Sequence, residues 1–263
     1  MRCFNRIRFM AYMAIAAVIS PGIAADDPFT GWAGTTLSVG SIQNVSCGWA
    51  SGETLWVYGG GTTGWYRSAD EGLTWEQLDT GIGEASNAGQ FYRVFAAPQE
   101  SGLLYAGSYG QSIRVSEDNG DTWQSLPVQS TVEMITGLVN PLNSREAFIG
   151  LGDSGVARIH QPGGSWVIDT VNNTGTVFDM AMDPDDTDTV YLATYSHGIS
   201  RLVRMIGDFW QFQDDGQSPA QKMTAICIDP DAPATIYAGC SREYGGKIWR
   251  GDISTSESVA WTP

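Results

Sequence analysis

Apolar and aromatic residues recur along the chain in short runs that end in small residues: Trp56-Val57-Tyr58-Gly59, Leu104-Tyr105-Ala106-Gly107, Phe148-Ile149-Gly150, Val190-Tyr191-Leu192-Ala193 and Ile236-Tyr237-Ala238-Gly239. Their length and their β-branched and aromatic content predict strands. Most are preceded by a turn built on Pro, at Ala97-Pro98, Asn140-Pro141, Asp183-Pro184 and Asp229-Pro230. Pro presets φ for a turn and cannot donate into a ladder, so each marks a hairpin between two strands. After each run come a Gly, a second short run carrying an Arg, a polar turn and a Trp. The Trp residues fall at Trp75, Trp123, Trp166, Trp210 and Trp261, in steps of 48, 43, 44 and 51 residues.

A period of this size predicts one four-stranded unit per repeat. In the second unit the strands are strand A (Gln90 to Ala96), strand B (Leu103 to Gly107), strand C (Ser112 to Ser116) and strand D from Trp123. Such a unit cannot bury both faces alone, so the units must stack around an axis with the Trp between them. The predicted fold is all-β, a β-propeller of four-stranded antiparallel blades with five repeats in view. For the fifth blade, either residues 31–38, with Trp32 placed like a blade Trp, supply the outer strand and close a five-membered ring, or the sequence is a piece of a larger propeller.

Two of the polar turns read S-x-D-x-G-x-T-W: Ser68, Asp70, Gly72, Thr74 and Trp75, and again Ser116, Asp118, Gly120, Thr122 and Trp123. This pattern resembles the Asp-box, or BNR repeat, of the sialidase-type β-propellers, and degenerate copies extend the resemblance over all five units. The Asp can accept hydrogen bonds from the turn's own N–H groups, the Gly permits φ > 0, and the Trp buries its ring between sheets. In the later units the turn decays to His160-Gln161-Pro162-Gly163-Gly164, Met205-Ile206-Gly207-Asp208 and Gly251-Asp252-Ile253-Ser254, while the Trp persists. Losing the turn and keeping the Trp suits a packing role.

Residues 1–25 have the form of a secretory signal: Arg2, Arg6 and Arg8, an apolar stretch from Phe9 to Ile19, and small residues at Ala24 and Ala25. The expected product is a secreted or periplasmic propeller domain over 26–263 with no transmembrane segment. The formal net charge of −15 becomes −18 without the signal's three Arg. Bulk charge of that sign excludes nucleic acid and anionic membranes as partners. Beyond Cys3 remain Cys47, Cys227 and Cys240, an odd number that leaves at least one thiol without an intramolecular partner. The alternatives are a bond from Cys47 to one of the other two across the first and last blades, or three thiols.

The Pro turns and the polar turns share one rim, so the B–C loops and the D–A linkers share the other, where binding residues are expected. Tyr109, Tyr195 and Tyr244 occupy comparable places in the B–C loops, beside Asp153, His197 and Arg242. This set predicts a site for a saccharide or an extended peptide, through aromatic contact and directed hydrogen bonds. No cofactor and no metal is expected. The only histidines, His160 and His197, fall on opposite rims, and the acidic run Asp183 to Asp188 lacks the spaced ligands and Gly of a calcium loop.

The resemblance also implies enzymatic readings. Sialidases hold the substrate carboxylate with an Arg triad, but Arg67, Arg114, Arg158, Arg201 and Arg250 recur once per blade, which marks a structural position. Arg93, Arg145, Arg204 and Arg242 fall outside that register. The propeller glycosidases acting on xyloglucan place a catalytic Asp in the first B–C loop, which here reads Gly59-Gly60-Gly61-Thr62-Thr63-Gly64. Two opposed carboxylates would have to come from Asp153, Asp179, Glu133 and Glu243. Propeller lyases use Tyr and His, which Tyr195 and His197 match. The non-enzymatic members, of the photosystem II assembly-factor and sortilin types, imply a binding or assembly module. That is the expected function, with glycoside hydrolysis as the alternative and no catalytic residue assigned.

Overall fold

The computed structural model describes residues 42–49, 55–61, 64–70, 73–78, 92–108, 112–126, 134–171, 174–183, 186–214, 222–229, 231–241, 245–253 and 260–262. The leader-like segment 1–25, the segment 31–38, and the sequence candidates Gly72, Tyr109, Glu133, Arg242, Glu243 and Tyr244 lie outside them.

Five antiparallel four-stranded sheets follow one another in chain order. The first contains β1 (Ile42–Trp49), β2 (Leu55–Gly61), β3 (Gly64–Ser68) and β4 (Glu76–Gln77). The second contains β5 (Tyr92–Ala96), β6 (Leu104–Ser108), β7 (Ile113–Ser116) and β8 (Gln124–Leu126). β9 (Thr136–Val139), β10 (Glu146–Gly150), β11 (Val156–His160) and β12 (Val167–Val171) form the third, and β13 (Val177–Met182), β14 (Thr189–Thr194), β15 (Ile199–Met205) and β16 (Phe209–Gln213) the fourth. The fifth is β17 (Met223–Ile228), β18 (Thr235–Cys240), β19 (Ile248–Asp252) and β20 (Ala260–Thr262). The fold is a β-propeller, as the spacing of the Trp residues predicts. The strands begin and end within a residue or two of their predicted limits; the fourth strand starts just after the Trp in the first three sheets and contains it in the last two.

Innermost strands meet in sequence, β1 on β5, β5 on β9, β9 on β13 and β13 on β17, and no comparable contact joins β17 to β1 among the described residues. The described strands therefore do not close a five-membered ring. The outer place in the fifth sheet is taken by β20. Neither Cys227 nor Cys240 is in a disulfide, which removes the staple between first and last blades.

The core is a series of layers between sheets. Trp123 of the second sheet packs with Leu78 of the first and with Val94, Ala96, Leu104 and Ala106. Trp166 stands edge-on to Tyr105 of the preceding sheet at 5.7 Å, and Trp210 stands edge-on to Phe148 at 4.7 Å. The third and fourth repeats thus set the Trp of the fourth strand against the second-strand aromatic of the preceding sheet. The inner strands come so close that a Cβ on Gly137 of β9 would lie 2.6 Å from the Phe95 ring of β5.

The once-per-blade Arg joins sheets as well. Arg67 on β3 donates to the Asn119 carbonyl at 2.9 Å and to Asp121 at 2.7 Å, both in the polar turn of the second sheet. Arg158 on β11 donates to the Asp208 carbonyl at 3.0 Å and carboxylate at 2.9 Å, in the corresponding turn of the fourth sheet. In both turns the accepting carbonyl belongs to a left-handed residue, Asn119 with φ 61° and Asp208 with φ 60°. The conformation turns the carbonyl outward toward the neighbouring sheet. At Arg114, which faces the decayed turn Gln161-Pro162-Gly163-Gly164 in this register, Nε has no hydrogen-bond partner among the described residues.

Candidate functional site

The rim of Pro turns and polar turns is structural. In the first Asp-box turn, Asp70 accepts from the Thr74 N–H at 2.8 Å, the Thr74 hydroxyl at 2.5 Å and the Ser68 hydroxyl at 2.7 Å. Asp118 accepts the same set from Thr122 and Ser116 at 2.8, 2.5 and 2.7 Å. These bonds, led by that of the Thr74 hydroxyl, hold the Asp70 pKa down to about 2. Gly120 has φ 92°, and its missing Cβ would lie 2.9 Å from Leu78 of the first sheet. The Trp123 indole N–H donates to the Gly120 carbonyl at 2.9 Å.

Arg145 and Arg204, outside the once-per-blade register, are structural too. Arg145 pairs with Glu100 and, at 2.7 Å, with Glu117. Arg204 pairs with Glu146 at 2.7 Å, Asp208 at 2.8 Å and Asp188 at 3.1 Å. Glu146 is buried and also accepts from Arg158 Nε at 2.7 Å and Asn140 Nδ2 at 2.6 Å. The acidic run is turn-making: the Asp186 N–H donates to Asp183, and the Asp188 N–H donates to Asp186.

On the opposite rim, loops from three sheets are laced side by side. Asp153, in a single 3-10 turn after β10, accepts from the Thr176 hydroxyl in the linker into the fourth sheet. The Thr176 carbonyl accepts the Tyr195 N–H at 2.9 Å, and the Tyr195 carbonyl accepts the Lys222 N–H at 3.0 Å. The Lys222 carbonyl in turn accepts the Ser241 N–H at 3.4 Å. The result is a belt running from the B–C loop of the third sheet to that of the fifth. Within it the loop 194–198 closes on itself, the Thr194 N–H and hydroxyl both donating to the Gly198 carbonyl at 2.7 and 3.0 Å.

Three sequence-predicted residues fall in this belt. Asp153 and Tyr195 are two of its links, and Tyr195 is 49 % exposed. His197 stands in the same loop with Nδ1 2.8 Å from Asp214 Oδ2 and its ring edge-on to Phe212. Tyr109, Arg242 and Tyr244 lie outside the described residues. Sequence reading missed Lys222, whose Nζ lies 5.1 Å from the Tyr195 ring centroid, Phe178, tilted against the same ring, and Asp214. A signal for Lys222 was present: the chain has only two lysines, and the other, Lys247, enters the fifth B–C loop's far side.

Asp179 leaves the list of carboxylates available for hydrolysis. It sits at a bulge in β13 and accepts the Met180 N–H and, from the next sheet, the Ile226 N–H, each at 3.0 Å. Burial pushes its pKa up to about 6, against the opposing pull of those two bonds and of the Arg93 charge. Its two oxygens tie the fourth sheet to the fifth.

No family model matches the sequence, and no curated protein matches it. Among solved structures, the chain is similar to a GH74 enzyme of Niastella koreensis at 18 % identity and TM-score 0.57, over 78 % of this chain and 36 % of that one. An ancestral GH74 enzyme gives 19 % identity and TM-score 0.61, over 85 % and 31 %. YCF48 bound to D1 peptide gives 15 % identity and TM-score 0.57, over 86 % and 66 %. The chain thus spans about a third of the length of the GH74 enzymes. At these identities the likeness shows the fold, a β-propeller, and the two S-x-D-x-G-x-T-W turns resemble the Asp-box.

Proposed function

We propose that the chain is a binding module that holds an extended peptide on the rim carrying Asp153, Tyr195, His197 and Lys222. The observation that carries this reading is the laced belt, in which loops of three sheets are fixed edge to edge while Tyr195 stays half in solvent. Binding residues on loops fixed by a rigid scaffold are the usual arrangement of such sites. A peptide is favoured over a saccharide because Lys222 covers a face of the Tyr195 ring that a sugar would stack on. The likeness in fold to YCF48 bound to a peptide supports the same choice. The proposal includes export, on the strength of the leader-like segment 1–25.

The second reading, hydrolysis of a polysaccharide, is supported by the likeness in fold to the GH74 enzymes. It needs two opposed carboxylates, and the described acids of this rim, Asp153 and Asp214, are bonded to Thr176 and His197. A peptide and glycan array run with the wild type and a folded Tyr195→Ala, Tyr244→Ala double variant tests the proposal. Peptide binding lost in the variant is the expected result. Unchanged binding would move the site elsewhere, and turnover of xyloglucan by the purified chain would favour the hydrolase.

A further inference from the structure

The chain has two histidines, and each stands beside a carboxylate through a different ring nitrogen. His160, on the rim of polar turns, brings Nε2 to 2.7 Å from Asp169, with its side chain 14 % exposed. His197, on the belt rim, brings Nδ1 to 2.8 Å from Asp214 and is 32 % exposed. Among the described residues the His197 side chain makes its hydrogen bond through Nδ1 alone, so Nε2 is left open.

The carboxylate decides which nitrogen holds the proton. An ionised Asp214 can only accept, so Nδ1 carries the hydrogen and the neutral ring keeps a lone pair on Nε2. The ring is also held in place. The His197 N–H donates to Thr194 Oγ1 at 3.0 Å within the closed loop 194–198, and the imidazole meets the Phe212 ring edge-on at 5.3 Å. Gly175, in the linker that brings Thr176 into the belt, has φ 64°. A Cβ there would come to 2.6 Å from Ser196 Oγ and 3.7 Å from His197 Cδ2, the ring carbon next to Nε2, so the linker passes this loop with no side chain beside the open nitrogen. A half-exposed pair of this kind contributes little to folding. What it supplies is an oriented acceptor.

We propose that Asp214 positions His197 and that His197 Nε2 accepts a main-chain N–H of the bound peptide. This inference rests on the peptide-binding reading above. An extended peptide turns a main-chain N–H to the same side at every second residue, whatever its sequence, so one fixed acceptor on the rim can serve it. The probes are a ten-residue peptide alternating Gln with Ala and a copy methylated at every main-chain nitrogen, which keeps the side chains and removes the main-chain donors. Both are titrated calorimetrically against the full chain and its His197→Phe, Asp214→Asn and Tyr195→Ala variants, and the imidazole nitrogens are followed by nitrogen-15 NMR. His197→Phe deletes one of the two imidazoles and Asp214→Asn perturbs it, so either variant assigns the spectrum.

In the free wild type the proton is expected on Nδ1, and the Nε2 signal should move when the unmethylated peptide binds and stay in place with the methylated copy. The preference for the unmethylated peptide should fall about fivefold in His197→Phe, the worth of one neutral hydrogen bond. Asp214→Asn should bring in the Nε2–H form and lose a comparable share of the preference without lowering the melting temperature. A proton on Nε2 in the free wild type, an Nε2 signal that bound peptide leaves unmoved, or a preference unchanged in His197→Phe overturns the inference. Asp214→Asn that keeps the preference, or loses it with the proton still on Nδ1, removes the positioning role and overturns it too. The rim is judged apart: weaker binding of both peptides in Tyr195→Ala upholds it even where His197 fails. Binding of neither peptide to the wild type, or binding indifferent to Tyr195→Ala, counts against both.

Discussion

Glu146 holds three donors in a buried position, and its removal leaves Arg158 and Arg204 sharing only the more exposed Asp208 among the described residues. Breaking a buried pair in this way costs more than the pair contributes, because the remaining charge stays desolvated. Glu146→Ala should lower unfolding stability by about 3–5 kcal/mol in a urea titration. Asp179 has the opposite electrostatic sign. Its native pKa of about 6 lies above the ordinary 3.8, so the native state holds that proton more tightly than the unfolded chain. Its contribution is complete below about pH 4 and is lost as pH rises through 6, giving stability a downward slope across that window. Asp179→Asn should flatten the slope while weakening one of the two backbone bonds; an unchanged slope would mean that Asp179 ionises freely in the native state.

At the level of the single element, the Asp-box turn and its Trp do different work. Trp123 fills the layer between the first and second sheets, so Trp123→Ala should cost roughly 3–5 kcal/mol. Asp118→Ala removes the acceptor of a backbone N–H and two hydroxyls on a partly exposed turn, where water replaces some of the loss, and should cost about 1–2 kcal/mol. Neither change should alter ligand binding, which the array measures. This division was legible in the sequence because the later repeats keep Trp while their turns decay. The strands were legible for a similar reason: short β-branched and aromatic runs and Pro at hairpins report local geometry directly. Lys222 was not legible in the same way. Its part in the rim depends on which ring lies beneath its ammonium, and that is not written in a local pattern. Asp179 illustrates the same limit, since its identity suggested chemistry and only its bonds across β13 and β17 show it to be a tie.

Across the whole molecule, sequence spacing predicted the number and order of sheets but left open whether the fifth meets the first, because ring closure is set by small angles summed over every layer. The arginine register gives a test at this scale. Arg158 has acid and carbonyl partners in the next sheet, whereas burial lowers the Arg114 pKa and its Nε goes unmatched. Arg158→Leu should therefore destabilise by about 3–5 kcal/mol, and Arg114→Leu should be neutral or stabilising, since an apolar chain avoids the desolvation. Equal losses in thermal unfolding would contradict the assignment.

Both clasps run one way, from a sheet to the sheet that follows it. During synthesis the first and third sheets accordingly emerge with an arginine waiting for a turn not yet made. A nascent chain halted after β12 would carry Arg158 paired with Glu146 and Asp169, with Asp208 still to come. At these two joints stability is acquired in the direction of translation, the second sheet completing the first and the fourth completing the third.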